Sequence, residues 1–245
     1  MPKGQYMDYS HYYHTRIKTS LDDDREGIIA GFQDIVKREV RTSCRLVNYY
    51  KGLPISYPAS MVEVNHGTLE LDVHQQQAYV IDATRRVFIK CDYFNCAILA
   101  EVQNANVLRM TASLVNFTFV EIMAERRDSL RLGLETPTDA EIGCAGLNIP
   151  GKLLDLSLGG FSIRTAERCP LGKGVEVQLR VKVPNLLQNT QTSIETKACH
   201  IETVSTGPDD ICRFSFETDP QSEGVISRFI FQRQVEIIRE IKEAS

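Results

Sequence analysis

Apolar residues recur at helical spacing early in the chain, in "DDDREGIIAGFQDIVKREV", where Ile28, Ile29, Phe32, Ile35, Val36 and Val40 fall on one stripe. Asp22 to Asp24 offer a cap and favourable charge at the positive end of the dipole, so the pattern predicts an amphipathic helix covering its own domain. From about residue 45 to 122 the period shortens to two. Runs such as "LELDV", "YVIDA", "RVFIKCD", "AILAEVQ" and "VNFTFVEI" are separated by the turn-formers "NHG" and "QNAN", which predicts an antiparallel β domain closed as a small barrel. The charged "MAERRDSLR" interrupts the alternation. Beyond it lie "RLGLET", "GKLLDLSLGGFSIRT", "GVEVQLRVKV", "TKACHIETVS" and "CRFSFET", and Val175, Val177, Leu179, Val181 and Val183 alternate with polar residues as a strand with one buried face requires. In "DPQSEGVISRFIFQRQVEIIREIKEAS", Asp219 suits a cap and Pro220 a first helical position, ahead of an apolar helical stripe. The expected organisation is mainly β: an arm over 1–20, a helix plus β-barrel domain over 21–122, a linker over 123–130, and a second β-barrel with a C-terminal helix over 131–245.

Composition narrows the function classes. A chain of 245 residues with 42% apolar and 24% charged residues has enough apolar content to fold into two ordinary domains. A net charge of -4 argues against a broad phosphate-binding surface, so no DNA or RNA partner is expected. The N-terminal stretch has no apolar signal segment, and no run of about 20 apolar residues spans a bilayer, so a cytoplasmic location is expected. Seven cysteines without a CxxC pair read as reduced packing residues, and Cys91 and Cys96 have no histidine at zinc-ligand spacing. No metal or cofactor is expected. His66 and His74 read as surface or turn residues. Cys199 and His200 are adjacent, so in a strand they point to opposite faces and cannot act as a nucleophile and base. His200 is expected to be exposed, with Glu202 sharing its face. Neither a nucleophile elbow nor a phosphate loop is present, and no catalytic residue is assigned.

The remaining chemistry lies in two short motifs. "ERRDSLR" gathers Arg126, Arg127 and Arg131, and "DLSLGG" follows about two dozen residues later with Asp155, Ser157, Gly159 and Gly160. One reading of the second motif is a strand ending in a turn, with Asp and Ser bonding nearby backbone and the glycines supplying positive φ. The other is a ligand site. The glycines then let a flat ligand approach the backbone, Asp155 accepts from a guanine edge, and Ser157 serves a phosphate or base. Guanidinium groups bind phosphate bidentately, read guanine O6 and N7, and stack on purines, which suits a dianionic guanine dinucleotide.

Together "RDSLR" and "DLSLGG" resemble the PilZ domain family, whose signature is RxxxR followed by (D/N)xSxxG. The resemblance covers about residues 124–240, including the "RFSF" run and the closing helix. It implies a six-stranded antiparallel barrel that binds the bacterial second messenger cyclic di-GMP. By position, Arg127 and Arg131 are the signature arginines, Arg126 is the additional arginine often found before them, and Asp155, Ser157 and Gly160 complete the site. The layout also resembles the YcgR-type flagellar brake proteins, whose N-terminal β domain precedes the arginine linker. That likeness implies a receptor whose domain orientation and protein partner respond to ligand, with a flagellar motor or another motility or secretion component as partner. It implies control of motility or biofilm formation, and recruitment to the flagellar basal body or inner membrane. A homodimer through the helices stays open, as does a scaffold module whose output ignores cyclic di-GMP.

Overall fold

The computed structural model describes residues 12–38, 40–144 and 146–245. It divides into two compact units, Met1–Arg127 with Ile238–Ser245, and Asp128–Ile237. The first break falls within the arginine-bearing segment. The last turns of the C-terminal helix group with the first unit rather than the second.

The first unit contains β1 (Tyr13–Thr15), α1 (Leu21–Lys37), β2 (Cys44–Tyr50), β3 (Leu53–Asn65), β4 (Thr68–Val73), α2 (Gln75–Thr84), β5 (Arg86–Cys91), β6 (Ala97–Asn106) and β7 (Thr111–Ile122). The strands pair antiparallel in the order β1-β7-β4-β3-β2-β5-β6, and β6 pairs again with β7, so six strands return on themselves. Val120 pairs with Ala97 on one side and Thr15 on the other, which places β1 along the edge of β7 opposite β6. The expected arm is thus ordered from Tyr12 onward, and its first eleven residues lie outside those described.

Helix α1 lays Ile28, Phe32 and Ile35 into a core that includes Leu46, Leu69, Leu71, Val87, Ile89 and Phe117. Phe32 meets Phe94 and Phe117 edge-on, each at 5.2 Å between centroids. The cap is Ser20, whose Oγ accepts from the Asp23 N–H at 3.1 Å. Asp24, expected to help cap, is buried instead and accepts from the Lys18 and Thr19 N–H groups at 2.7 and 3.2 Å. Val40 lies past the helix end and is exposed.

One predicted strand is a helix. "YVIDA" lies in α2, opened by the His74 ring, which accepts from the Gln76 N–H at 3.3 Å, and closed by Arg85 in the left-handed region at φ 58°. A run this short has no period that separates a buried strand from a buried helical face. Gln77 carries the difference: its Nε2 donates to Asn48 Oδ1 at 2.5 Å. Asn48 Nδ2 in turn donates to Thr84 Oγ1 at 2.8 Å and to the Arg86 carbonyl at 2.6 Å. This buried network ties α2 to β2 and β5.

The second unit contains β8 (Leu132–Cys144), β9 (Leu147–Ser157), β10 (Gly160–Thr165), β11 (Glu176–Asn185), β12 (Thr190–Thr206), β13 (Asp209–Phe216) and most of α3 (Pro220–Ala244). The strands close as an antiparallel barrel in the order β10-β13-β12-β11-β8-β9. Its interior is filled by fully buried Ile142, Leu153, Leu156, Phe161, Ile163, Leu179, Val181 and Phe214, and β11 alternates buried and exposed as its sequence predicts. Asp219 caps α3, with Oδ1 accepting from the Gln221 and Ser222 N–H groups at 2.9 and 3.0 Å.

His200 departs from expectation. It is 2% exposed, with Nδ1 at 3.0 Å from the Gly172 carbonyl and Nε2 at 2.9 Å from Thr203 Oγ1. The β12–β13 register slips between His200 and Glu202, so the two do not share a face. Glu202 accepts from Arg213 at 2.5 Å on the outside.

Candidate functional site

The hairpin joining β9 to β10 carries most of the second motif. Ser157 pairs with Gly160 across the turn Leu158–Gly159, and Asp155 pairs with Ser162 just before a register slip. On the other side of β9 the start of β8 runs alongside, with Gly133 opposite Asp155. That pairing fixes Arg131, one residue before β8, beside the carboxylate: Arg131 Nε is 3.6 Å from Asp155 Oδ1. The two side chains are 24% and 27% exposed. Both of those atoms are buried and make no hydrogen bond among the described residues. They attract by charge, and the exposed part of each side chain is what a polar ligand can reach.

Ser157 is buried, and its Oγ donates to the Gly160 carbonyl at 3.3 Å. In this structure it locks the hairpin. Neither Gly159 nor Gly160 has a positive φ, so the expectation that the glycines supply one is wrong. They differ from each other in what surrounds them. A Cβ on Gly160 would fall 2.6 Å from the Phe214 carbonyl oxygen and 3.6 Å from Arg131 Nη2, whereas one on Gly159 would meet only Ser129 Oγ at 4.0 Å. Gly160 is therefore demanded by the closure of β10 onto β13, beside the Arg131 guanidinium. Gly159 leaves open space at the turn.

The second unit thus brings together Arg131, Asp155, Ser157, Gly159 and Gly160. Arg126 and Arg127 belong to the first unit, on and just after the 3-10 turn Met123–Arg126 that follows β7. Arg126 forms an ion pair with Glu121. The Arg127 guanidinium lies 5.8 Å from the centroid of the Tyr12 ring, which itself stacks on Tyr49 at 4.5 Å. Arg126, Arg16, Lys90, Glu121 and Glu125 line an open depression of about 330 Å³ in this unit. Sequence reading missed Glu121, Arg16 and Tyr12. The outward position of Glu121 in the alternating "VNFTFVEI" was a signal for an exposed carboxylate, but nothing local pointed to its partners.

The sequence profile of the PilZ domain matches residues 125–232. The second unit is a PilZ domain. Its matched span starts at Glu125, so it takes in all three candidate arginines. Among solved structures, Escherichia coli YcgR in complex with cyclic di-GMP aligns over 99% of this chain and 100% of its own, at 17% identity and a TM-score of 0.44. K. pneumonia MrkH in complex with cyclic di-GMP aligns over 93% and 100%, at 16% identity and a TM-score of 0.45. The Bacillus subtilis inhibitor of motility MotI/DgrA aligns over 79% and 96%, at 13% identity and a TM-score of 0.44. No curated protein sequence matches the chain.

Among the described residues no group of three or more His, Cys, Asp or Glu is placed to hold an ion. All seven cysteines are free. Cys44 and Cys91 face each other across β2 and β5, and burial, with the neighbouring Cys91, pushes the Cys44 thiol up to about 12. Such a thiol stays protonated and packs as a small apolar group. No helix is long and apolar enough to cross a membrane among the described residues.

Proposed function

We propose that this chain is a cyclic di-GMP receptor that binds rather than transforms its ligand. The observation that carries the reading is the Arg131–Asp155 pair on the PilZ barrel, where Nε and Oδ1 face each other at 3.6 Å without a hydrogen bond. A guanine offers donors at N1 and N2 for the carboxylate, and guanine O6 and N7 or a phosphodiester offers acceptors for the guanidinium. Cyclic di-GMP presents both groups on one small dianion. Arg126 and Arg127 supply further positive charge a few residues upstream, and Gly159 leaves the turn open to a flat base.

Ligand held by Arg126, Arg127 and the barrel face at once would favour one arrangement of the two units over others. Its power to do so is limited to its differential affinity for those arrangements. The output is a changed surface for a protein partner, with control of motility or biofilm formation as the expected consequence. Calorimetric titration of the whole chain tests the first step. Micromolar binding of cyclic di-GMP is expected, with at least about a tenfold loss in Arg127→Ala and in Arg131→Ala, since each removes a charge-assisted phosphate or guanine contact. Absence of binding, or unchanged affinity in both variants, overturns the reading. Partner capture from extract with and without cyclic di-GMP tests the second step, and capture that ignores the ligand favours a scaffold instead.

A further inference from the structure

Of the upstream arginines, Arg126 forms an ion pair with the Glu121 carboxylate. Glu121 points outward from β7 and uses both oxygens. Oε2 accepts from Arg16 through Nη2 at 2.7 Å and Nε at 3.2 Å, and Oε1 pairs with Arg126. Arg16 is held there by backbone. Residues 13–15 of β1 pair with 120–122, and the Arg16 N–H donates to the Phe119 carbonyl at 2.8 Å. The other charges in this depression, Lys90 and Glu125, pair with each other at 3.0 Å.

We propose that Glu121 is a built-in competitor of the ligand's phosphates for Arg126, and that Arg16 tunes this competition by sharing the carboxylate. The inference rests on the cyclic di-GMP reading and deepens it. A phosphodiester and a carboxylate present the same chemistry to a guanidinium, two oxygens bearing negative charge. A dianion reaching Arg126 must displace Glu121 or lie beside it, and both oppose binding. The hydrogen bond from Arg16, aided by the charges of Arg126 and Arg16, holds the Glu121 carboxyl below its ordinary value, so the competitor is ionised at neutral pH. Arg16 already occupies the other oxygen and neutralises part of that charge. Without Arg16 the carboxylate would turn its full charge on Arg126. Thus two residues outside the PilZ signature set the ligand concentration at which the receptor responds.

Calorimetry with cyclic di-GMP on four forms of the whole chain decides the matter. Glu121→Gln keeps the shape and removes the charge, and it should tighten binding about two- to fivefold, the scale of an exposed ion pair. Arg16→Gln should weaken binding about twofold. The double variant should bind like Glu121→Gln alone, because Arg16 acts only through Glu121. The tightening should shrink between 50 and 500 mM salt as the Debye length contracts. If the double variant binds more weakly than Glu121→Gln, Arg16 meets the ligand directly and the tuning role is wrong. Binding by the unmodified chain with no change in Glu121→Gln overturns this inference and leaves the receptor reading intact. Failure of the unmodified chain and of Glu121→Gln to bind overturns both.

Discussion

Gly160→Ala probes whether the signature glycine serves the ligand or the barrel. The added Cβ would sit 2.6 Å from the Phe214 carbonyl oxygen, where 3.4 Å begins ordinary contact, so backbone must give by most of an ångström. Backbone cannot swing aside as a side chain can. Gly160 is paired with Ser215, and the next link of the ladder is the Phe216 N–H donating to the Gly159 carbonyl at 3.3 Å. Overpacking of this kind costs about 1–3 kcal/mol. For a unit the size of Asp128–Ile237 that lowers the melting temperature by roughly 5–15 °C. Gly159→Ala is the control, because its Cβ enters open space at a φ that alanine adopts. It should melt with the parent, within about 0.5 kcal/mol, while crowding the turn where a base is proposed to lie. Differential scanning calorimetry is the assay, with transitions of the two units fitted separately because a two-unit chain need not melt in one step. A Gly160→Ala protein that melts within about 2 °C of the parent refutes the packing argument. An equal loss in both variants would refute the distinction between them.

Other substitutions test the two cores. Asn48→Leu leaves the buried amide of Gln77 without its acceptor, while the Thr84 hydroxyl keeps the Val80 and Arg86 carbonyls, and it should cost about 1–3 kcal/mol, read as a lower urea midpoint for the first unit. His200→Ala removes a buried ring held by Gly172 and Thr203 and should cost about 2–4 kcal/mol in the PilZ unit. The Ser205 hydroxyl and the Cys169 N–H hold the Asp210 carboxyl below its ordinary value of 3.8. A depressed folded pKa gives stability that is complete above the unfolded value and lost as pH falls through the folded one. The urea midpoint of the parent should therefore fall as pH is taken from 5 to 3, and Asp210→Asn should flatten that slope.

The sequence was most informative where one residue's neighbours along the chain decide its fate. The alternation in β11 and the Asp219–Pro220 start of α3 are local facts, and both reappear in the structure. The order of "RDSLR" and "DLSLGG" likewise placed Arg131 and Asp155 in one unit before any fold was known. What escaped detection depends on partners distant in sequence. Helix α2 was hidden because "YVIDA" suits either a strand or a buried helical face, and the choice rests on Gln77 reaching Asn48, 29 positions away. His200 continues the inward alternation of Ile194, Thr196 and Ala198, and the slip of register against β13 that follows it turns Glu202 outward. The glycine roles depend on where the Phe214 carbonyl falls. Arg126 meets a carboxylate five residues earlier, but that carboxylate's other partner is Arg16, 105 positions from it.

Strand β1 has a consequence for how the protein can be handled. Among the described residues it is the one strand with a single partner strand. An uncovered sheet edge presents unpaired N–H and C=O groups on which another chain can template. Here six strands close in a ring, and three residues of β1 cover Val120, Glu121 and Ile122 at the end of β7. Tyr12 pins that cover by burying its ring with Tyr49, Phe88 and Ile122. Trimming the N-terminus past residue 15 would therefore bare an adhesive edge beside an apolar cluster, and self-association would follow from the cut itself.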